Sequence, residues 1–141
     1  MKPRHRHRHA VLIIADMMWA LRRLGAHIFF PEYKLPQAQR FILVGAALGY
    51  AQLRGRPLTL SSLSRTVEMP PATAARILEE LNLSGWVHKR GKYYLLDFAR
   101  LEEPGYAEYF EEVARRIAIA KKKLSELNIS GCAPALTPDK E

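Results

Sequence analysis

Apolar residues recur along this chain at helical spacing in several stretches and crowd into a β-rich run in one. From Ala10 to about Leu24 they run nearly all round a helix, with Leu12, Ile13, Met17, Ala20, Leu21 and Leu24 on one face and Gly25 placed to close it. A helix this apolar needs cover on most sides, which in a small protein points to a second subunit. Phe29-Phe30-Pro31 reads as a loop, and Pro36 opens a second helix over 37–53 with Phe41, Val44, Leu48 and Ala51 inward. Gly55 and Pro57 end it. From Pro104 to about Asn128, Phe110, Val113, Ile117, Ala120, Leu124 and Leu127 alternate three- and four-residue steps, the spacing of a helix–helix seam. No segment of the chain repeats at a solenoid-like period.

Residues 58–97 carry the most specific pattern. Thr59 can cap a short helix whose inner face is Leu60, Leu63, Ser64 and Val67, and Pro70-Pro71 can only begin the next one. That next helix, over about 71–84, sets Ala74, Ile77, Leu78 and Leu81 inward. It sets Ala72, Arg76, Glu79 and Leu83 outward, with Thr73 and Glu80 flanking. Gly85 stops it, and two β-rich runs about Gly91, within residues 86–97, read as a hairpin with Arg90-Gly91-Lys92 at its tip. Three helices followed by a hairpin make a winged helix-turn-helix, the arrangement that fits a major groove. The fold class expected is mainly α with a small β-hairpin wing, flanked by N- and C-terminal dimerisation helices.

Charge sharpens this expectation. The chain carries 22 Lys and Arg against 14 Asp and Glu, net +8, and residues 54–92 hold seven cations to three anions. A basic stripe on that segment favours duplex DNA over a purely protein partner. The expected DNA contacts are Ser61, Ser62 and Arg65, then Ala72, Thr73 and Arg76, then Lys89, Arg90 and Lys92. Among them Thr73 and Arg76 suit base edges, while Ser61, Ser62 and the wing cations suit phosphate. A protein-binding adaptor and a nonspecific DNA-coating protein remain as alternatives.

Other chemistries find little support. No phosphate-cradling glycine loop or nucleophile motif occurs, and Glu79-Glu80 and Glu111-Glu112 diverge on their helices, so no enzyme is expected and no cofactor or metal is assigned. One cysteine, Cys132, excludes an internal disulfide, and the chain reads as intracellular and cytoplasmic. The apolar run from Ala10 to Ala20 is too short for a bilayer span and, broken by Asp16, a poor export signal. The alternating Arg and His of residues 4–9 suggest a disordered basic arm whose His5, His7 and His9 share one side of an extended chain.

Leu63, Val67, Met69, Thr73, Ala74, Arg76, Ile77, Leu81, Gly85, Trp86 and Val87 match the winged-helix pattern of bacterial transcription regulators. The register from Leu63 to Ala74 and from Leu81 to Gly85 resembles the MarR family, with IclR-type regulators sharing the Thr73 to Leu81 rhythm. Two departures stand out: Glu68 and Pro70 replace a turn glycine and a hydroxyl cap, and the wing lacks that family's Asp-x-Arg. The resemblance implies a homodimeric repressor whose terminal helices interlock, here through Leu12, Ile13, Met17, Phe110, Val113, Ile117, Leu124 and Leu127. It also implies a small aromatic effector, for which Trp19, Phe29, Phe30, Tyr33, Tyr106, Tyr109 and Phe110 are the available ring residues. The expected layout is an arm (1–9), an N-terminal dimerisation helix and loop (10–34), the DNA-binding domain (35–100), a C-terminal dimerisation helix (101–128) and a flexible tail (129–141).

Overall fold

The computed structural model describes residues 5–129. Six helices and three short strands follow in the order α1 (Arg6–Phe29), α2 (Leu35–Leu53), β1 (Leu58–Thr59), α3 (Leu60–Val67), α4 (Pro71–Leu83), β2 (Val87–Arg90), β3 (Tyr93–Leu96), α5 (Phe98–Leu101) and α6 (Ala107–Glu126). A 3₁₀ turn over Pro104–Tyr106 precedes α6. The protein is therefore mainly helical with one small antiparallel sheet of order β1-β3-β2. Among the described residues, no helix is long and apolar enough to cross a membrane.

The chain divides into two compact units, one spanning Leu24–Glu108 and the other holding the residues up to Arg23 with those from Tyr109 onward. The core of the Leu24–Glu108 unit is one cluster. Phe41, Val44 and Leu48 of α2, Leu63 of α3, and Ala74, Ile77, Leu78 and Leu81 of α4 are buried together with Trp86 and Val87. The inward positions expected for α3 and α4 are the half-buried and buried ones here. α2 can lie close to the sheet because Gly49 is bare: a Cβ there would sit 2.9 Å from Leu96 Cδ2 and 3.3 Å from Phe98 Cζ. Gln52, one turn on, ties α2 to β3 by accepting from the Leu96 amide at 2.8 Å.

Several boundaries differ from the sequence reading. Gly25 does not close α1, which runs on to Phe29, because Ala26 and Phe30, four residues apart, both bury in the core and hold the helix through the glycine. Of the expected loop Phe29-Phe30-Pro31, Phe29 belongs to α1, and Phe30, just past the helix, is a core residue ringed by Phe41 at 5.1 Å and Trp86 at 6.2 Å. The expected disordered arm is helical from Arg6 onward. Extending an existing helix costs far less than nucleating one, and the His9 ring nitrogen meets the His5 carbonyl oxygen at 3.0 Å. In that conformation His5 and His9 share a helix face and His7 does not, and among the described residues no group of three metal-ligating side chains forms. The last helix starts at Ala107 after its 3₁₀ turn, and the hairpin gains a third strand, β1, that the sequence pattern does not announce. Cys132 and most of the expected tail lie outside the described residues.

In the other unit, segments of α1 and α6 flank a groove of about 300 Å³ lined by Ile13, Met17, Ile119 and Ala120 with Asp16, Arg116 and Lys123. Glu112 bonds both Arg115 and Arg116, the latter at 2.8 Å, and chiefly the Arg116 hydrogen bond holds its carboxyl below the usual glutamate range. Partial burial pushes the Tyr109 phenol up. Of the residues expected to join subunits, Leu127 is buried and Ile13, Met17, Val113 and Leu124 are half-buried. Leu12, Phe110 and Ile117 remain exposed, beside Val11, Ile14, Met18, Trp19 and Ile119.

The turn between α3 and α4 carries a testable feature. Glu68 sits in the left-handed region (φ 55°, ψ 47°) as the C-cap of α3, where its amide donates to the Ser64 carbonyl. The Ser64 hydroxyl in turn donates to the Met69 carbonyl. A left-handed non-glycine residue costs about 1–2 kcal/mol, partly offset by the chain entropy that glycine loses on folding. Glu68→Gly should therefore stabilise the protein by about 0.5–1 kcal/mol, read as a higher urea midpoint with an unchanged slope.

Candidate nucleic-acid interface

One open groove, of about 710 Å³, is lined by Thr59, Leu60 and Ser61 at the start of α3, Pro71 at the start of α4, and Lys89, Lys92 and Tyr94 of the hairpin. Its position follows from local sequence. Thr59 belongs both to β1, paired with Tyr93, and to the N-terminus of α3, so the sheet anchors the helix start directly. A capping box fixes that start: the Thr59 hydroxyl accepts from the Ser62 amide at 3.2 Å, and Ser62 Oγ accepts from the Thr59 amide at 2.8 Å. The Ser62 hydroxyl is thus committed to the backbone and not free for phosphate, which departs from the sequence expectation.

The two helix starts supply backbone donors of different kinds. With the capping box in place, first-turn amides of α3 still lack intrahelical partners. α4 opens with Pro70 and Pro71 and has no side-chain cap, so the amides of Ala72 and Thr73 face the same shortage. The positive end of each helix dipole adds to the cations nearby. Ser61 Oγ accepts from Arg65 at 3.0 Å, holding that guanidinium over the first turn of α3.

Register sets the hairpin cations. Lys89 pairs with Tyr94 and Arg90 with Tyr93, so Lys89 shares the sheet face of Val87, Tyr94 and Leu96 while Arg90 lies on the other face. Lys89 Nζ stands 5.6 Å from the Tyr94 ring centroid and Lys92 Nζ 5.5 Å from that of Tyr93, cation–π contacts that hold both stems while leaving the ammonium groups accessible. Gly91 takes the positive φ of 61° that the two-residue turn demands.

The structure therefore gathers Ser61, Lys89 and Lys92 of the expected contacts into one groove. Arg65, Ala72, Thr73 and Arg76 fall outside its lining; Ala72 and Arg76 are exposed on α4 and Thr73 is half-buried. Arg90 departs from the expectation of a single basic face, because strand alternation turns it away from Lys89. Sequence reasoning passed over Thr59, Leu60, Pro71 and Tyr94 as lining residues. The Thr59-x-x-Ser62 spacing was a legible sign of the capping box, whereas Tyr94 needed the strand register.

Arg100 completes the support. Its guanidinium lies 4.1 Å from the Trp86 ring centroid and donates to the Ser84 carbonyl at the C-terminus of α4, locking the far end of that helix. Of the seven aromatic residues expected around an effector, four pack in the core of this unit. Phe29 stacks on Tyr106 at 5.2 Å and meets Trp86 at 5.5 Å, and Tyr33 meets Phe41 at 4.7 Å, beside Phe30. These rings fill space with each other. Trp19, in the other unit, is exposed and lies under Arg23 at 5.2 Å. No family model, curated protein or solved structure matches this chain.

Proposed function

We propose that this protein is a cytoplasmic winged helix-turn-helix regulator that binds duplex DNA in sequence-specific fashion, as a homodimeric repressor of the MarR-like kind. The observation that carries this reading is the convergence of the α3 and α4 starts with Lys89 and Lys92 on one open groove. The element order of helix, strand, helix, helix and hairpin, with sheet order β1-β3-β2, supports it. In this reading α4 enters the major groove with Arg76 and Thr73 at base edges, while the hairpin and the start of α3 hold the phosphate backbone. Helix amides at those starts are suited to phosphate oxygens, and an arginine on the outer face of α4 to a guanine edge.

Homodimerisation belongs to the same proposal. Leu12, Met18, Trp19, Phe110 and Ile117 are large apolar residues exposed on α1 and α6, and pairing of two copies through these helices would cover them. Two copies would present two α4 helices for a palindromic site.

A fluorescence-anisotropy titration against the DNA upstream of the protein's own gene and against a random pool tests the reading. Preference for the upstream DNA of roughly a thousandfold, lost in Arg76→Ala while pool binding persists, is the expected result. Equal binding of both DNAs would favour the coating protein, and no binding at low salt would favour the adaptor. A small aromatic effector belongs to the same proposal, and adding a phenolic compound should weaken the upstream complex.

A further inference from the structure

Among the described residues the outward side of α2 has no covering partner, and its composition is wrong for solvent. Between Leu43 and Leu53 the helix contains no charged residue, and its one amide side chain, Gln52, is occupied by β3. A helix apolar all round is one that is covered all round. Yet Leu43 is 48%, Tyr50 66% and Leu53 74% exposed, on the side opposite the buried Phe41, Val44 and Leu48. Leu43, Ala47, Tyr50 and Arg54 succeed one another at four-, three- and four-residue steps, a straight line about 16 Å long.

This line forms one wall of an open groove of about 510 Å³, whose other wall is Leu58 of β1 with Thr66 and Val67 of α3. The alanines at 46, 47 and 51 keep its floor low, as close approach of another helix requires. Two arginines, Arg54 and Arg56, stand at one end. Neither is ion-paired among the described residues, and no acidic side chain lines the groove. Arg54 is held over the Tyr50 ring at 5.3 Å, keeping its guanidinium beside the apolar line.

We propose that this groove docks an acidic amphipathic helix of a partner protein, its apolar stripe lying along Leu43, Ala47 and Tyr50 and its carboxylates meeting Arg54 and Arg56. Length and openness suit a helix laid along the groove rather than a small molecule enclosed in it. Charge selects the partner: α1 of a second copy is flanked by Arg8, Arg22 and Arg23, like in charge to Arg54 and Arg56. Its α6 opens with Glu108, Glu111 and Glu112, but Glu112 is already bonded to Arg115 and Arg116, and the helix carries Lys121, Lys122 and Lys123 further on. This inference is independent of the DNA-binding reading.

The test uses the full chain and two labelled probe peptides with one Leu/Ala stripe, one peptide carrying glutamate and the other lysine on the polar side. The expected result is that the glutamate probe binds at least tenfold more tightly than the lysine probe. Its affinity should fall at least tenfold in Arg54→Gln/Arg56→Gln and in Leu43→Gln/Tyr50→Gln, all surface positions, with thermal melts checking the fold. Binding that survives both pairs of substitutions but is abolished in Lys89→Ala/Lys92→Ala would place the probe on the hairpin and overturn the proposal. So would equal affinity for the two probes, failure of the glutamate probe to bind, or a lower sedimentation mass for Leu43→Gln/Tyr50→Gln than for the native chain, which would assign the face to a second copy. DNA anisotropy on the Leu43→Gln/Tyr50→Gln protein should be unchanged, so the two readings fail separately.

Discussion

Lys89→Ala/Lys92→Ala is expected to bind duplex DNA about thirtyfold more weakly per protomer at physiological salt, with a correspondingly flatter salt dependence. Every phosphate that a lysine ceases to neutralise takes about 0.9 off the slope of log affinity against log salt, so two take off about 1.8. If the native and altered proteins converge near 1 M salt, where counterion release no longer favours binding, that slope difference amounts to about thirtyfold at 0.15 M. Arg90→Ala should do less, because Arg90 lies on the sheet face away from Lys89 and outside the groove. Folding should barely change, since both lysines are exposed and the substitutions remove only the cation–π pairing with Tyr94 and Tyr93, each worth about 0.5 kcal/mol. Anisotropy at several salt concentrations, beside a thermal melt of each protein, checks all of these statements. An Arg90→Ala effect larger than that of the lysine pair would show that the DNA runs along the other face of the sheet.

The second large effect is on stability. Phe41 is 2% exposed and holds two other rings, Phe30 at 5.1 Å and Tyr33 at 4.7 Å, between α2 and the end of α1. Phe41→Ala removes a ring from a closely packed site and is expected to cost about 3–5 kcal/mol. Small domains possess about 5–15 kcal/mol in all, so this one substitution should bring the protein close to its unfolding threshold. Urea denaturation followed by circular dichroism measures it. Leu43→Ala, two residues along the same helix but half-exposed, should shift the midpoint far less, because about half of that residue is already in water.

These two predictions draw on parts of the molecule that were unequally visible in the sequence. The inward face of α4 was legible because Ala74, Ile77, Leu78 and Leu81 answer to helical periodicity alone, and Pro71 marks its start without reference to anything distant. The Thr59 cap was legible for the same reason: its partner, Ser62, is three residues away. The end of α1 was not, since local propensity places a stop at Gly25 and only burial of Ala26 and Phe30 against residues far along the chain carries the helix past it. β1 consists of two residues and exists because Tyr93 and Tyr94 lie beside them. No local pattern encodes such a pairing.

The same division applies within the candidate interface. Basic residues near the hairpin tip could be named from the sequence, but their faces could not, because a turn of two residues rather than three decides whether Lys89 or Arg90 shares a face with Tyr94. The serines show the converse: Ser61 and Ser62 look alike in sequence, and their roles differ because one hydroxyl closes the capping box and the other accepts from Arg65. The core side of α2 was legible, since Phe41, Val44 and Leu48 read as inward and are buried, whereas nothing in the helical spacing says that Leu43, Tyr50 and Leu53 opposite them stay uncovered.

The most direct measurement of DNA docking at this groove is an amide chemical-shift map of the full chain titrated with a short random-sequence duplex at low salt. The largest shifts should fall on residues 59–65, 71–76 and 88–94, the starts of α3 and α4 and the hairpin, and they should fade as salt is raised. Shifts confined to α1, α6 or the outer side of α2, or none at all, would contradict it.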